Sequence, residues 1–181
     1  MKVIGISGSL RKASYNTALL HVFLKNAPTA IEVEFASIDA LPFYNEDIEA
    51  PYPSAAQELK SQLLDADGFI IATPEYNRGV PGILKNMIDW MSRPAGTSPF
   101  KQKPVLVIGA SDGNIGTAVA QASLKHTLLH LDAIIPGRPE FYVSRAQDKF
   151  NEAGELTDEK TLEHVQSAWQ VLAHNLESAA R

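Results

Sequence analysis

The sequence predicts an α/β fold in which one parallel sheet is covered by helices on both faces, and three observations point there. Short apolar runs rich in Val, Ile and Phe recur along the chain, at Val3–Ile6, Phe69–Ala72 and Val105–Ile108. Between them, apolar residues repeat at helical spacing. The connections out of these runs carry glycine, proline, hydroxyl and amide residues, the usual punctuation of strand-to-helix loops. Strands alternating with helices in this way become parallel neighbours joined by crossovers.

Taken in order, Val3-Ile4-Gly5-Ile6 reads as a buried first strand, and Ala18, Leu19, Val22 and Phe23 as the stripe of a first helix. Ile31 to Phe35 alternates apolar and acidic residues, as an edge strand with one wet face does. Asp39 to Pro53 holds three prolines among acidic and aromatic residues and is expected to be a surface loop. A second helix follows, marked by Ala55, Leu59, Leu63 and Leu64, and Phe69 to Ala72 is the third strand. Pro81 falls in the first turn of a third helix, where its missing N–H costs nothing; Ile83, Leu84, Met87, Ile88 and Met91 line its apolar side. Val105 to Ile108 is the fourth strand, and a fourth helix is expected from Ile115 to Leu131. Ile134 and Ile135, resumed by Phe141-Tyr142-Val143, make a broken fifth strand. Thr157 is the expected cap of the last helix, with Asp158 and Glu159 in its first turn and Leu162, Val165, Trp169, Leu172 and Leu176 on its buried face. Five strands with four crossovers fit a flavodoxin-like three-layer sandwich, strand order 2-1-3-4-5, as a single domain over residues 1–181.

Composition narrows the chemistry. The absence of cysteine removes disulfides, thiolate nucleophiles and Cys-held metals. No apolar run has membrane-spanning length and no signal peptide is expected, so the reading is a cytoplasmic protein with no membrane association. Sixteen basic against 21 acidic residues leave a net charge of −5 with the cations scattered, which disfavours nucleic acid as a partner.

In a sheet of this order, ligands sit beyond the carboxyl ends of the strands where the strand order reverses. The loops after strands one, three and four should therefore meet at one crevice. The first runs Ser7-Gly8-Ser9-Leu10-Arg11-Lys12-Ala13-Ser14-Tyr15-Asn16-Thr17 into a helix start. Unpaired N–H groups there favour an anion, and Ser9, Arg11, Ser14, Asn16 and Thr17 add donors suited to phosphate. The plainer reading is a loop with a Ser14 or Asn16 helix cap and nothing bound. The second, Thr73-Pro74-Glu75-Tyr76-Asn77-Arg78-Gly79-Val80-Pro81-Gly82, is stiffened by proline at both ends and suits the edge of a flat heteroaromatic ring; its plainer reading is a rigid turn.

Together with Pro81-Gly82-Ile83-Leu84-Lys85-Asn86, Asp89-Trp90 and the Gly109-Ala110-Ser111 turn, these two loops resemble the NADPH-dependent FMN reductase family, which includes quinone, chromate and azo-dye reductases. The resemblance runs from the first strand to the last helix. It implies FMN as cofactor and NADPH or NADH as co-substrate. It places Ser9, Arg11, Ser14, Asn16 and Thr17 at the phosphate, Pro74, Glu75, Tyr76 and Asn77 around the isoalloxazine ring, and Ser111 and Gly113 on its far side. Hydride would pass from nicotinamide to flavin N5 and then, by ping-pong kinetics, to a small acceptor such as a quinone, azo compound, chromate or free flavin; no protein residue is then needed as acid or base. Relatives are usually homodimers or homotetramers, and the helix carrying Trp90 and the loop around Phe43-Tyr44 are the expected contacts. Where many members have a glycine pair, this chain has Asp112-Gly113-Asn114-Ile115-Gly116, which puts a negative charge near the site.

Two rival readings remain open at this level. Gly109-Ala110-Ser111-Asp112-Gly113 matches the G-x-S-x-G nucleophile elbow, so Ser111 could serve a serine hydrolase with Asp148 or Asp158 and His164 or His174. Both histidines, however, fall on the last helix rather than at the strand ends. A flavodoxin-type electron carrier would bind FMN without a substrate pocket, but usually presents a more acidic face than −5 supplies. His126 and His130 stand four apart on a helix with no third ligand, and read as solvent-facing.

Overall fold

The computed structural model describes residues 1–181. Five strands, β1 (Lys2–Ser7), β2 (Glu32–Ala36), β3 (Gly68–Ala72), β4 (Val105–Ala110) and β5 (Phe141–Val143), form one parallel sheet in the order β2-β1-β3-β4-β5. The helices are α1 (Tyr15–Lys25), α2 (Ser54–Leu64), α3 (Gly82–Met91), α4 (Ala118–His130) and α5 (Glu159–Ala179).

Successive side chains of a strand point to opposite faces, so the apolar runs of β1, β3 and β4 feed two cores. Ile4, Ile6, Phe69, Ile71, Val105 and Val107 pack with Leu59 and Leu63 of α2, Leu84 and Met87 of α3, and Leu124 and Leu128 of α4. Val3, Ile70, Ala72, Leu106 and Ile108 pack with Leu19, Leu20 and Phe23 of α1 and Val165, Trp169, Leu172 and Leu176 of α5. The register sets Ile4 beside Phe69 and Phe69 beside Val105, so the three central strands end together at the crevice.

Several element boundaries differ from expectation. Residue 134 touches the sheet through a single bridge to Pro104, and β5 proper begins only at Phe141; Pro136 and Pro139, which have no N–H to give a ladder, lie in the gap. The fourth helix starts at Ala118 rather than Ile115, because Gly116 and Thr117 adopt φ of +54° and +68°, from which a right-handed helix cannot propagate. Ile115 is consequently exposed. Asp158, not Thr157, caps α5: its Oδ2 accepts from Thr161 N at 2.9 Å, while Thr157 N donates to Lys149 O at 2.8 Å. Leu162 is only half-buried, its place taken by Thr161, and Leu64 is exposed.

Trp90 is fully buried and so unavailable as a subunit contact. Its Nε1 donates to Pro42 O at 2.8 Å, and Tyr44 and Tyr52 stand edge-on to its ring at 5.2 and 5.3 Å. Asn86 ties the same loop from one turn earlier, accepting from Tyr44 N at 2.7 Å and donating to Pro42 O at 2.9 Å. Phe43, between the two pinned residues, is 85% exposed.

Candidate functional site

The β1–α1 loop opens the crevice. Ser14 has the extended backbone of a helix cap, and its Oγ accepts from Thr17 N at 3.3 Å. Ser7 and Thr17 hydroxyls bond at 2.7 Å, Ser9 N donates to Ser7 Oγ, and Arg11 N donates to Ser9 Oγ, both at 3.3 Å. The N–H groups of Tyr15 and Asn16, at the start of α1, have no acceptor within the chain. Arg11 is exposed, its guanidinium 5.4 Å from the centre of the Tyr15 ring. A cavity of about 260 Å³ lies against this loop, lined by Ser7, Ser9, Arg11, Lys12 and Thr17 and closed by Phe35 to Asp39 after β2.

Asn16 is buried, and its amide is engaged elsewhere. Nδ2 donates to Ala110 O and Oδ1 accepts from Ala110 N, both at 2.9 Å, so the side chain joins α1 to the end of β4 while its backbone N–H stays unpaired in the first turn of α1. The segment Phe35 to Asp39 carries no site motif of its own in the sequence. The signal that could have found it is the pairing of β2 beside β1, which sets the two strand ends side by side. Within it the Ser37 hydroxyl bonds to Asp39 and holds that carboxyl below its ordinary range.

After β3, the chain folds back tightly. Gly79 N donates to Tyr76 O at 3.0 Å and Tyr76 N to Gly79 O at 3.3 Å, with Asn77 and Arg78 both left-handed at φ of 51° and 63°. Positive φ at both central residues is the pattern of a type I′ turn, which Asn accepts readily and Arg seldom does. The turn leaves Tyr76 55% exposed. Pro74 is buried under it, and Thr73 Oγ1 donates to Pro74 O at 2.8 Å. The Glu75 carboxylate points to α4: Oε2 accepts from Val119 N at 3.0 Å and Ala120 N at 3.1 Å, and Oε1 pairs with Arg78 Nη1 at 3.1 Å.

The turn after β4 depends on Gly109. A Cβ there would lie 1.9 Å from Thr117 Oγ1 and 2.7 Å from Thr73 O, so packing demands this glycine. Ser111 N donates to Val143 O at 2.9 Å and Gly113 O accepts from Arg145 N at 3.1 Å, docking the turn on the β5–α5 connection. Ser111 Oγ bonds to no histidine, and His164 and His174 sit on the exposed side of α5; the hydrolase constellation is not assembled. His126 and His130 are exposed on α4, and no group of three ligating side chains surrounds them.

Two helix N-termini thus reach the crevice in different electrostatic states. In α4 the N–H groups of Ala118, Val119, Ala120 and Gln121 find Ile115 O, Glu75 and Thr117 O. In α1 two amides stay unpaired beside Arg11, Lys12 and three hydroxyl residues. An anion is stabilised at α1, where donors are open, and opposed at α4, where a carboxylate already stands. A donor set of this kind, in a loop neighbouring a tight turn that carries an exposed tyrosine, fits a mononucleotide phosphate with an attached flat ring.

The comparisons with known proteins agree. The chain is 44% identical over 173 residues to an NAD(P)H-dependent FMN reductase of Pseudomonas aeruginosa, covering 95% of this chain and 93% of that protein. It is 40% identical over 167 residues to a 2-hydroxy-1,4-benzoquinone reductase of a Burkholderia species, covering 92% and 91%. Among solved structures, the flavoenzyme NAD(P)H:acceptor oxidoreductase FerB of Paracoccus denitrificans superposes with a TM-score of 0.90 at 39% identity, over 98% of both chains. The model of the family described as NADPH-dependent FMN reductase matches residues 1–148, and the chain belongs to that family.

Proposed function

We propose that the protein is an NAD(P)H-dependent, FMN-containing oxidoreductase acting on a small acceptor of the quinone class. The observation that carries this is the pair of unpaired amides at the start of α1, in the Arg11 loop that leaves β1 beside the loop leaving its parallel neighbour β3, where a Cβ on Gly8 would lie 3.3 Å from Pro74. Ser9, Arg11 and Thr17 would hold the phosphate with their side chains, and Asn16 with its backbone N–H. Ser14 shapes the loop as the cap of α1. Pro74, Glu75, Tyr76 and Asn77 would border the isoalloxazine ring, with Ser111 and Gly113 opposite. FMN, when bound, supplies the two-electron chemistry, taking hydride from the nicotinamide and passing electrons to the acceptor.

The protein's own contribution is position. Arg11 would neutralise the phosphate, the left-handed Asn77-Arg78 turn holds Tyr76 exposed, and Pro74 is buried at the start of the same loop. No side chain need move a proton. The quinone preference is supported by the Burkholderia relative and by reductases named for quinones in Escherichia coli, 41% identical over 169 residues. A homodimer or homotetramer is supported by Phe43, a large apolar side chain held in water by a pinned loop. No helix is long and apolar enough to cross a membrane.

The test is spectroscopic. Purified protein given FMN should acquire a flavin spectrum that NADPH bleaches and a quinone restores, with parallel double-reciprocal lines in steady state. Protein that ignores FMN overturns the reading.

A further inference from the structure

We propose that Glu75 is a positioning residue whose carboxylate clamps the Tyr76–Gly79 turn onto the first turn of α4, so that the ring slot is formed before any cofactor arrives. This rests on the flavin reading above.

Helix α4 lacks a cap of its own. Thr117 occupies the cap position with φ of 68°, and its side chain accepts no hydrogen bond from the helix's first amides. Its hydroxyl is instead directed inward, accepting from Gln121 Nε2 at 3.1 Å and packing over Gly109. The amides of Val119 and Ala120 would be orphaned without an outside acceptor. Glu75, 44 residues earlier in the chain, supplies it through one oxygen. The other oxygen holds Arg78, one of the two left-handed residues of the turn. Backbone in that region persists only where its surroundings over-determine it. One side chain therefore joins the β3 loop to the β4 loop.

The Glu75 side chain is 9% exposed, whereas Arg78 is 68% exposed. The bond from Ala120, a fully buried residue, is half-buried, while those from Val119 and Arg78 lie at the surface; two amides converge on one oxygen against a single exposed ion pair on the other, so the helix amides dominate. A slot ordered in advance spares the binding step the cost of ordering it. The expectation is that losing the clamp weakens binding of the ring and leaves binding of the phosphate alone.

The experiment titrates apo-protein with FMN and with riboflavin, which has the ring and no phosphate, following flavin fluorescence. Glu75→Ala should weaken both flavins by the same factor, about tenfold or more. Glu75→Gln keeps a carbonyl oxygen toward Val119 and Ala120 and should recover most of the affinity. Arg11→Ala should weaken FMN far more than riboflavin. Amide hydrogen exchange at Val119 and Ala120 in the apo-protein should accelerate in Glu75→Ala and stay slow in Glu75→Gln. Should Glu75→Ala fail to fold, Glu75→Asp, one methylene too short, provides the same comparison. Unchanged affinity for both flavins with only a lower melting temperature overturns the proposal, as does a Gln variant no better than the Ala one. Wild-type protein that binds neither flavin overturns the flavin reading and this inference with it.

Discussion

Asn16 and Ala110 pair as two amides do, the side chain of one donating to and accepting from the backbone of the other at 2.9 Å in each direction. Both ends of the pair are buried. Asn16→Ala would strand the Ala110 N–H and C=O without partners, at roughly 1–3 kcal/mol each. A loss of about 2–4 kcal/mol is expected, read from urea unfolding. Asn16→Asp should be no milder, since it sets a carboxylate oxygen against the Ala110 carbonyl.

Gly109 and Gly113 belong to the same five-residue motif and should respond in opposite ways. Gly109→Ala forces Cβ into Thr117 and the Thr73 carbonyl and should destabilise by about 3 kcal/mol or more, because the obstacle includes backbone. Gly113 is exposed, and its nearest neighbour would be Ser111 Oγ at 3.7 Å, so Gly113→Ala should melt within a few degrees of wild type. Thermal unfolding of the two variants decides it. Equal tolerance would mean that packing does not require the motif.

The central strands and the crevice were legible because their signals are local: unbroken apolar runs in β1, β3 and β4, and a donor-rich loop at a helix start. What escaped depends on distant partners. The tie of Glu75 to the first amides of α4 shows only once α4 is seen to lack a cap, and that of the Asn16 side chain only once Ala110 appears beside it. The helix carrying Trp90 reads as a subunit contact from its sequence, but the Trp90 ring itself is enclosed by Pro42 and two tyrosines of a loop some forty residues earlier. Left-handed Thr117 shortened the fourth helix although nothing in its residue type announces positive φ.

Asp158 sets a pH signature. Bonds from the Thr161 hydroxyl and backbone N–H hold its carboxyl below the ordinary 3.8. A depressed carboxyl stabilises the fold above the unfolded value and ceases to do so as pH falls through the folded one. Asp158→Ala should therefore cost about 1 kcal/mol at pH 7, the usual worth of a helix cap. The difference should shrink below pH 3.8 and vanish once the native carboxyl is protonated. Melting temperatures of both proteins across that range test the sign.

Phe43 offers a direct probe of assembly. A solvent-exposed Phe flanked by Pro42 and Tyr44, each hydrogen-bonded to α3, can be changed without disturbing the core. Phe43→Asp should lower the sedimentation coefficient toward that of a single chain and leave the far-ultraviolet circular dichroism unchanged. An unaltered coefficient would place the subunit contact elsewhere.

Arg11 tests the phosphate assignment by charge and by shape. Its guanidinium is exposed above Tyr15, so its contribution to an anion is open to screening by salt. Arg11→Ala should raise the FMN dissociation constant about ten- to thirtyfold at low ionic strength, the worth of one charge-assisted contact of about 1.5–2 kcal/mol. Binding should survive, because the Tyr15 and Asn16 amides remain. The gap should narrow in 1 M salt, where the screening length falls to about 3 Å. Arg11→Lys should recover only part of the loss, keeping the charge and losing the two-pronged geometry. Full recovery by lysine would show that charge alone matters, and an FMN affinity unchanged by alanine would move the phosphate away from α1.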